Sequence, residues 1–253
     1  MTVNDIYLFL CEKAPLSFAM PYDNPGFLLG NKNDEVKKVL VCLDATMSAV
    51  KKAEEIGASL IVTHHPVIFE PLKKITADEN GKIFQIIKSG ISVISMHTNL
   101  DVVKGGVNDA LGNTLELENL RSITDDDGFS FRMGELKTIL SGDELAKFTA
   151  EKLKTPVRYC TQNKKIKSVA VCGGSGGGLW RLAKENGADA LVTADVKHSA
   201  LIEAADSGFT LIDAGHFNTE DTVIKPLKDE LSARFKDVEF IDYHITDIKT
   251  ANL

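Results

Sequence analysis

The sequence predicts an α/β fold made of two pseudo-symmetric subdomains, each with a mainly parallel sheet flanked by helices. Short runs of β-branched residues alternate with helical segments along the 253 residues. Strands that are separated by helices at this spacing form βα units, whose crossovers make neighbouring strands parallel. Segments of the second half also repeat segments of the first. A chain of this length can bury a sizeable core in one large domain or two small ones.

We expect the first half to span residues 1–124. Its predicted elements are a helix over 2–13, a strand over 38–43, a helix over 46–56, a strand over 58–63, a helix over 81–88 and a strand over 91–96. Thr46 can cap the second of these helices and Gly57 can end it. Pro66 prevents the strand before it from continuing past two histidines.

We expect the second half to span residues 125–253, after an acidic loop at 125–128 where the composition changes. Its predicted elements are a strand over 135–140, a helix over 141–153 and strands near 167–172, 189–193, 209–213 and 238–242. The C-terminal elements are expected to pack back on the first half. Strand and helix thus alternate in both halves.

An internal repeat links the two halves. Residues 38–42 and 56–63 match residues 168–172 and 186–193 at an offset of 130, and H-T-N-L-D from His97 matches H-F-N-T-E from His216 at an offset of 119. Any two βα units share some glycine and valine positions, but the common H-x-N-x-(D/E) element favours a diverged duplication. His64 and His65 have no histidine counterpart in the second half.

Composition limits the classes of function. The net charge of −7 gives no electrostatic footprint for nucleic acid, so a nucleic-acid partner is disfavoured. No signal-peptide pattern opens the sequence and no apolar run approaches the ~20 residues of a membrane span. The four cysteines show no C-x-x-C spacing and are typical of free thiols in a reducing compartment. We therefore expect a cytoplasmic protein.

Several possible metal ligands follow predicted strands, at the sheet edge where α/β proteins bind ligands. They are His64, His65, Asp101, His216 and Glu220. Nitrogen and hard oxygen ligands suit Zn, Fe, Mn, Ni or Co and disfavour a soft-metal or iron–sulfur site. Five ligands exceed one closed tetrahedral site but suit two divalent ions, which together can lower the pKa of a water and stabilise a phosphoryl or carbonyl oxygen.

Three further features have possible roles at the site. His97 occupies the repeat position of His216, and it can be a partner of a metal ligand, a proton carrier or an ordinary hydrogen-bonded histidine. The stretch Gly173, Gly174, Ser175, Gly176 lies between a strand and a helix. It can bring backbone amides to a substrate phosphate, or it can be a tight turn. The D-N-P-G turn at 23–26 can fold over the site.

The motifs V-T-H-H-P-V-I-F, M-H-T-N-L-D, V-C-G-G-S-G and G-H-F-N-T-E, with the D-N-P-G turn, together resemble the NIF-three-like dinuclear metal family. The resemblance is to its short members, which lack an inserted middle domain. It implies two α/β subdomains, a dinuclear metal site in the cleft between them and a homohexameric ring. It also implies that His65 and Asp101 hold one metal and His64 and His216 the other, with Glu220 bridging.

Bacterial members of that family often carry the label GTP cyclohydrolase 1 type 2 homologue. The first hypothesis is therefore a metal-dependent hydrolase of a nucleotide or another small phosphorylated or heterocyclic substrate, with GTP ring opening as one specific case. The alternative is a non-catalytic metal-binding ring that acts as an adaptor, a regulator or a nucleic-acid clamp. The acidic composition counts against the clamp.

Overall fold

The computed structural model describes residues 1–125 and 128–248. The chain forms two compact units. Unit 1 comprises Met1–Val103 together with the C-terminal stretch that starts at Ile224, and unit 2 comprises Lys104–Val223. The α/β class with two sheets flanked by helices is confirmed.

The secondary structure of the described chain consists of eleven strands and ten α-helices, with three short 3₁₀ turns. The strands are β1 (Gly26–Leu29), β2 (Lys38–Cys42), β3 (Leu60–Thr63), β4 (Ser92–Ser95), β5 (Glu118–Thr124), β6 (Ser130–Ser141), β7 (Arg158–Cys160), β8 (Lys165–Val171), β9 (Ala190–Thr193), β10 (Thr210–Asp213) and β11 (Glu239–Tyr243). The helices are α1 (Val3–Lys13), α2 (Met47–Ile56), α3 (Gly81–Lys88), α4 (Thr98–Val102), α5 (Val107–Thr114), α6 (Gly142–Leu153), α7 (Trp180–Glu185), α8 (His198–Asp206), α9 (His216–Glu220) and α10 (Ile224–Arg234).

The sheet of unit 1 has the strand order β1-β4-β3-β2-β11, in which only the edge strand β1 is antiparallel to its neighbour. Strands β3 and β4 are buried along their whole length, as expected for short apolar strands covered on both faces. Cys42, Thr63 and Ser95 are paired in register, so the carboxyl ends of β2, β3 and β4 meet at one edge. The loops that follow these strands therefore lie side by side.

The sheet of unit 2 has the order β5-β6-β8-β9-β10-β7. Strands β8, β9 and β10 are parallel, whereas β5, β6 and the edge strand β7 are antiparallel to their neighbours. The expectation of a mainly parallel sheet therefore fits unit 1, but the sheet of unit 2 is mixed. The physical reason is the connection from β5 to β6, which is too short for a helical crossover and makes a hairpin.

The division of the chain differs from the expected boundary between 124 and 125. Helix α5 and strand β5 lie in unit 2, so the first stretch of unit 1 ends at Val103. Strand β11 pairs in parallel with all five residues of β2, which puts the C-terminal stretch in unit 1. Of the acidic loop at 125–128, Asp126 and Asp127 lie outside the described residues.

Local signals in the sequence account for the ends of helix α2. The Thr46 hydroxyl accepts a hydrogen bond from the Ala49 amide, and Gly57 ends the helix in the left-handed conformation at φ 70°. No α-helix within residues 1–125 and 128–248 has the length and apolar character needed to cross a membrane.

Candidate metal centre

In unit 1 the two adjacent histidines follow β3 directly. The hydroxyl of Thr63 donates to the carbonyl of His65 at 2.8 Å, which closes a tight turn at the strand end. His64 is fully buried, and its Nδ1 lies 2.8 Å from the carbonyl oxygen of Met96. The Nδ1 of His65 lies 2.8 Å from an oxygen of Asp44. Both rings are thus fixed through one nitrogen.

His97 lies at the neighbouring strand end, before α4. Its Nδ1 is 2.7 Å from Asp23, and the backbone amide and hydroxyl of Thr98 also donate to that carboxylate. Burial alone would raise the pKa of Asp23, but these hydrogen bonds and the nearby imidazole outweigh it and lower the pKa to about 2. Asp23 belongs to the D-N-P-G turn, which therefore contacts the histidine group of its own unit.

The structure brings four predicted site residues of unit 1 together. One ring nitrogen each of His64, His65 and His97 lies within 4.8 Å of the others, a spacing at which the three could hold a metal ion. The Nε2 of His64 is 3.5 Å from Asp101 Oδ1. Two ligand atoms on one tetrahedral zinc ion would be about 3.4 Å apart. The family resemblance implies a different pairing, in which His65 and Asp101 hold one metal ion together. That pairing stays a prediction.

In unit 2 the structure brings His216 and Glu220 together on the short helix α9. The Nε2 of His216 is 3.0 Å from Glu220 Oε2, and its Nδ1 is 2.7 Å from Asp195. Glu220 is only 4% exposed. A nearly buried carboxylate beside an imidazole is a pair of ligands of the kind that zinc and similar ions bind.

The glycine loop after β8 packs against this pair. Gly174 has φ +62°, and a Cβ atom there would lie 2.1 Å from Glu220 Oε1 and 3.2 Å from His216 Nε2. Its amide donates to the Thr219 hydroxyl on α9 at 3.1 Å. A Cβ on Gly173 would meet Val107, and one on Gly176 would meet Thr193. These glycines allow close packing around the ligand pair, and a contact of Gly173, Gly174, Ser175 or Gly176 with substrate stays a prediction.

The ring nitrogens show that the residues fit a metal. A carbonyl or carboxylate oxygen accepts hydrogen bonds, so the Nδ1 atoms of His64, His65, His97 and His216 carry the protons toward their partners. In the neutral ring Nε2 then keeps its lone pair, which is the form that binds metals. A carboxylate or carbonyl partner on the opposite nitrogen is the usual support of a metal-ligating histidine. The three histidines of unit 1 could hold a metal ion, and His216 and Glu220 of unit 2 are two further possible ligands.

Three carboxylates in these groups were not predicted from the sequence, namely Asp23, Asp44 and Asp195. Asp195 could have been predicted, because it occupies the repeat position of His65 at the offset of 130 residues. Asp44 comes two residues after β2, at the carboxyl edge of the sheet. Asp23 lies in the D-N-P-G turn, whose sequence indicates a turn but no hydrogen-bond partner.

Two exposed aromatic residues belong to segments that contact His97 in unit 1. The ring of Phe69 contacts His97 edge-on, with 6.2 Å between centroids, and is 43% exposed. Tyr22 precedes Asp23 and is 56% exposed. Partial burial raises the pKa of Tyr22, and the negative charges of Asp23 and Asp101 raise it further. The Tyr22 hydroxyl is therefore within electrostatic range of the site.

Comparison with known proteins gives consistent matches over nearly the whole chain. Residues 1–251 match the Duf34/NIF3 (NGG1p interacting factor 3) family model. The "GTP cyclohydrolase 1 type 2 homolog" of Clostridium perfringens is 34% identical over 250 residues, 95% of each chain, and that of Lactococcus lactis is 33% identical over 91% of each. The crystal structure of Staphylococcus aureus hypothetical protein SA1388 superposes with a TM-score of 0.94 at 30% identity, covering 100% of this chain and 99% of that one. The chain belongs to the Duf34/NIF3 family.

Proposed function

We propose that this protein is a two-metal hydrolase that acts on a nucleotide or another small phosphorylated or heterocyclic molecule. In this proposal, the protein holds two divalent ions of Zn, Fe, Mn, Ni or Co. The ligands are His64, His65, Asp101, His216 and Glu220.

The observation that carries the proposal is the shared orientation of the histidine rings. His64, His65 and His216 each have Nδ1 fixed by an oxygen acceptor at 2.7–2.8 Å, which leaves Nε2 as the ligand atom. Each of the three rings also has a carboxylate nearby, an arrangement that is typical of metal-ligating histidines. The donor set contains no thiolate and suits the hard or borderline divalent ions named above.

Bound metal ions would supply Lewis acidity at a phosphoryl or carbonyl oxygen and would make water more acidic. The protein's own groups supply the rest. Asp44 and Asp195 hold the rings of His65 and His216 in place. Asp23 holds the ring of His97 through Nδ1, which leaves Nε2 to accept or donate a proton. Burial of His64 and Glu220 keeps bulk water away from the ligand atoms.

The name of the Clostridium and Lactococcus relatives suggests GTP as one candidate substrate. The reaction would then be the opening of its imidazole ring by water. We further propose that the protein works in the cytoplasm as a homo-oligomer, a hexameric ring, without a nucleic-acid or membrane partner. The acidic net charge of −7 supports the absence of a nucleic-acid partner.

A screen of metals and substrates tests the proposal. Metal-stripped protein is reloaded with Mn, Fe, Zn, Ni or Co and assayed against nucleotides and phosphoesters, with metal content measured in each sample. Glu220→Ala should lose both bound metal and turnover. Glu203→Ala is the control, because Glu203 is an exposed carboxylate that pairs with Arg181. Turnover by metal-free Glu220→Ala protein would refute the proposal.

The same screen separates the alternative function. A protein that binds two metals but turns over no member of the panel would instead be a non-catalytic metal-binding ring. Salt-dependent binding of DNA or RNA that survives loss of the ligands would identify the nucleic-acid clamp.

A further inference from the structure

We infer that Tyr22 and Phe69 form an aromatic face that binds the planar nitrogen heterocycle of the substrate beside the histidine cluster. The inference rests on the proposed function, since it names the substrate class of the same site. It concerns unit 1 alone. The two side chains are called the aromatic pair below.

The position of Phe69 is the first step. It lies four residues after His65, in the stretch where the repeat offset falls from 130 to 119, so the first half has eleven more residues there than the second half. Its ring meets the ring of His97 edge-on at 85°, so one of its faces is turned away from His97. Packing against the histidine fixes the ring, while 43% of the residue remains accessible. A fixed and accessible aromatic face is what base stacking needs.

The position of Tyr22 is the second step. The next residue, Asp23, is hydrogen-bonded to His97 and Thr98, which holds the turn at the cluster. The side-chain amide of Asn24 donates to the carbonyl of Ile68 at 2.7 Å, next to Phe69. The aromatic pair therefore comes from two segments that are joined to each other and to the same histidine. Scattered exposed aromatics on a surface would not share these links.

The carboxylates around the three histidines of unit 1 indicate which part of a substrate fits there. The charged partners of the three histidines include the carboxylates of Asp23, Asp44 and Asp101. A carboxylate oxygen accepts hydrogen bonds from the N–H groups at the edge of a nitrogen heterocycle. The aromatic pair beside them offers stacking to the face of the same ring. Together they suit the heterocyclic end of a nucleotide.

Direct ligand binding tests the inference without depending on turnover. Zinc-loaded full-length protein is titrated with guanosine, adenosine and ribose 5-phosphate by equilibrium dialysis. Phe69→Ala and Tyr22→Ala should each weaken nucleoside binding by about 5- to 100-fold, the range of one lost base–aromatic stack. Ribose 5-phosphate affinity and zinc content should stay at the wild-type values. Phe84→Ala, on helix α3 and similarly exposed at 41%, is the matched control and should bind like wild type.

Several results would overturn the inference. The first is nucleoside affinity within twofold of wild type in both alanine variants. The second is a wild-type protein that binds neither nucleoside. A change of subunit number on size-exclusion chromatography with light scattering, at unchanged nucleoside affinity, would assign the aromatic pair to a contact between copies of the chain. If no assay detects hydrolase activity, but the wild-type protein binds nucleoside and Phe69→Ala weakens that binding, only the proposed reaction would be refuted.

Discussion

Replacement of Gly174 by alanine should weaken metal binding while leaving the fold nearly intact. The new Cβ would lie 2.1 Å from Glu220 Oε1 and 3.0 Å from the carboxyl carbon. The clashing atoms are the far end of a flexible side chain, so the conflict is relieved by movement of Glu220. The energetic consequence therefore falls mainly on the position of that carboxylate.

The size of the expected loss of metal affinity follows from two distances. An ordinary contact begins at 3.4 Å, so the carboxylate oxygen must move by roughly 1.3 Å. Metal–ligand distances tolerate only about 0.2 Å. We therefore expect Glu220 to be lost as a good ligand and metal affinity to fall at least 10- to 100-fold. The left-handed φ of +62° adds a backbone cost of about 1–2 kcal/mol for alanine.

Two other glycines of unit 2 separate these effects. Gly187→Ala has a similar left-handed φ of +86° but open space around the new Cβ, so it carries the backbone strain without the clash. Gly178→Ala has open space and no left-handed φ, so it carries neither. Metal affinity is measured by competition with a chromogenic chelator, and the free energy of unfolding by urea denaturation of metal-free protein.

We expect Gly174→Ala and Gly187→Ala to lose similar stability, and only Gly174→Ala to lose metal affinity. Wild-type metal affinity in Gly174→Ala protein would refute the role of this glycine in positioning Glu220. A loss of several kcal/mol of stability beyond that of Gly187→Ala would show that Glu220 cannot move as described.

Three further predictions concern the carboxylates. Asp195→Asn should lower metal affinity about 10- to 100-fold in chelator competition, with less than about 1 kcal/mol change in metal-free stability, because the exposed pair with His216 adds little to folding. The pKa of Asp23 is lowered to about 2 from 3.8, so its stabilisation is present above pH 3.8 and is lost as the pH falls toward 2; urea denaturation of metal-free protein should show a steeper loss of stability over this range in wild type than in Asp23→Asn, in which other carboxyl groups with lowered pKa values still titrate. Asp109→Ala removes a carboxylate that pairs with the buried Arg132 and should destabilise by about 3 kcal/mol in urea, whereas an unchanged midpoint would contradict it.

The strands that carry the site could be predicted because their signals are local. β-branched runs at 38–43 and 58–63 correspond to β2 (Lys38–Cys42) and β3 (Leu60–Thr63). Pro66 stops the chain from extending β3, so the placement of His64 and His65 at a strand end follows from the sequence alone. Parallel pairing then brings His97 to the same edge.

Pairings between distant segments could not be predicted in the same way. The partner of β11 is β2, about 200 residues earlier in the chain, and no local pattern encodes that choice. Strand β6 extends over Ser130–Ser141 rather than 135–140, because both its edges are paired, with β5 and β8. The unit boundary depends on these pairings, which explains why it lies elsewhere than expected.

The carboxylates behind the histidines were missed for a different reason. A single aspartate in a turn or after a strand is common, and only its partner makes it part of a site. Asp44 and Asp23 belong to the site because they contact His65 and His97, which are 21 and 74 residues away in the chain. Their role depends on side-chain orientation, which a sequence does not specify.

Anomalous diffraction from crystals of metal-loaded wild-type protein tests the central claim most directly. Data collected at the absorption edge of the loaded metal should show two peaks per chain, ligated by His64, His65, Asp101, His216 and Glu220. The Nε2 atoms should lie about 2.0–2.1 Å from the metal if it is zinc. The absence of any peak at these residues in fully loaded protein, or ligation through Nδ1, would contradict the two-metal proposal.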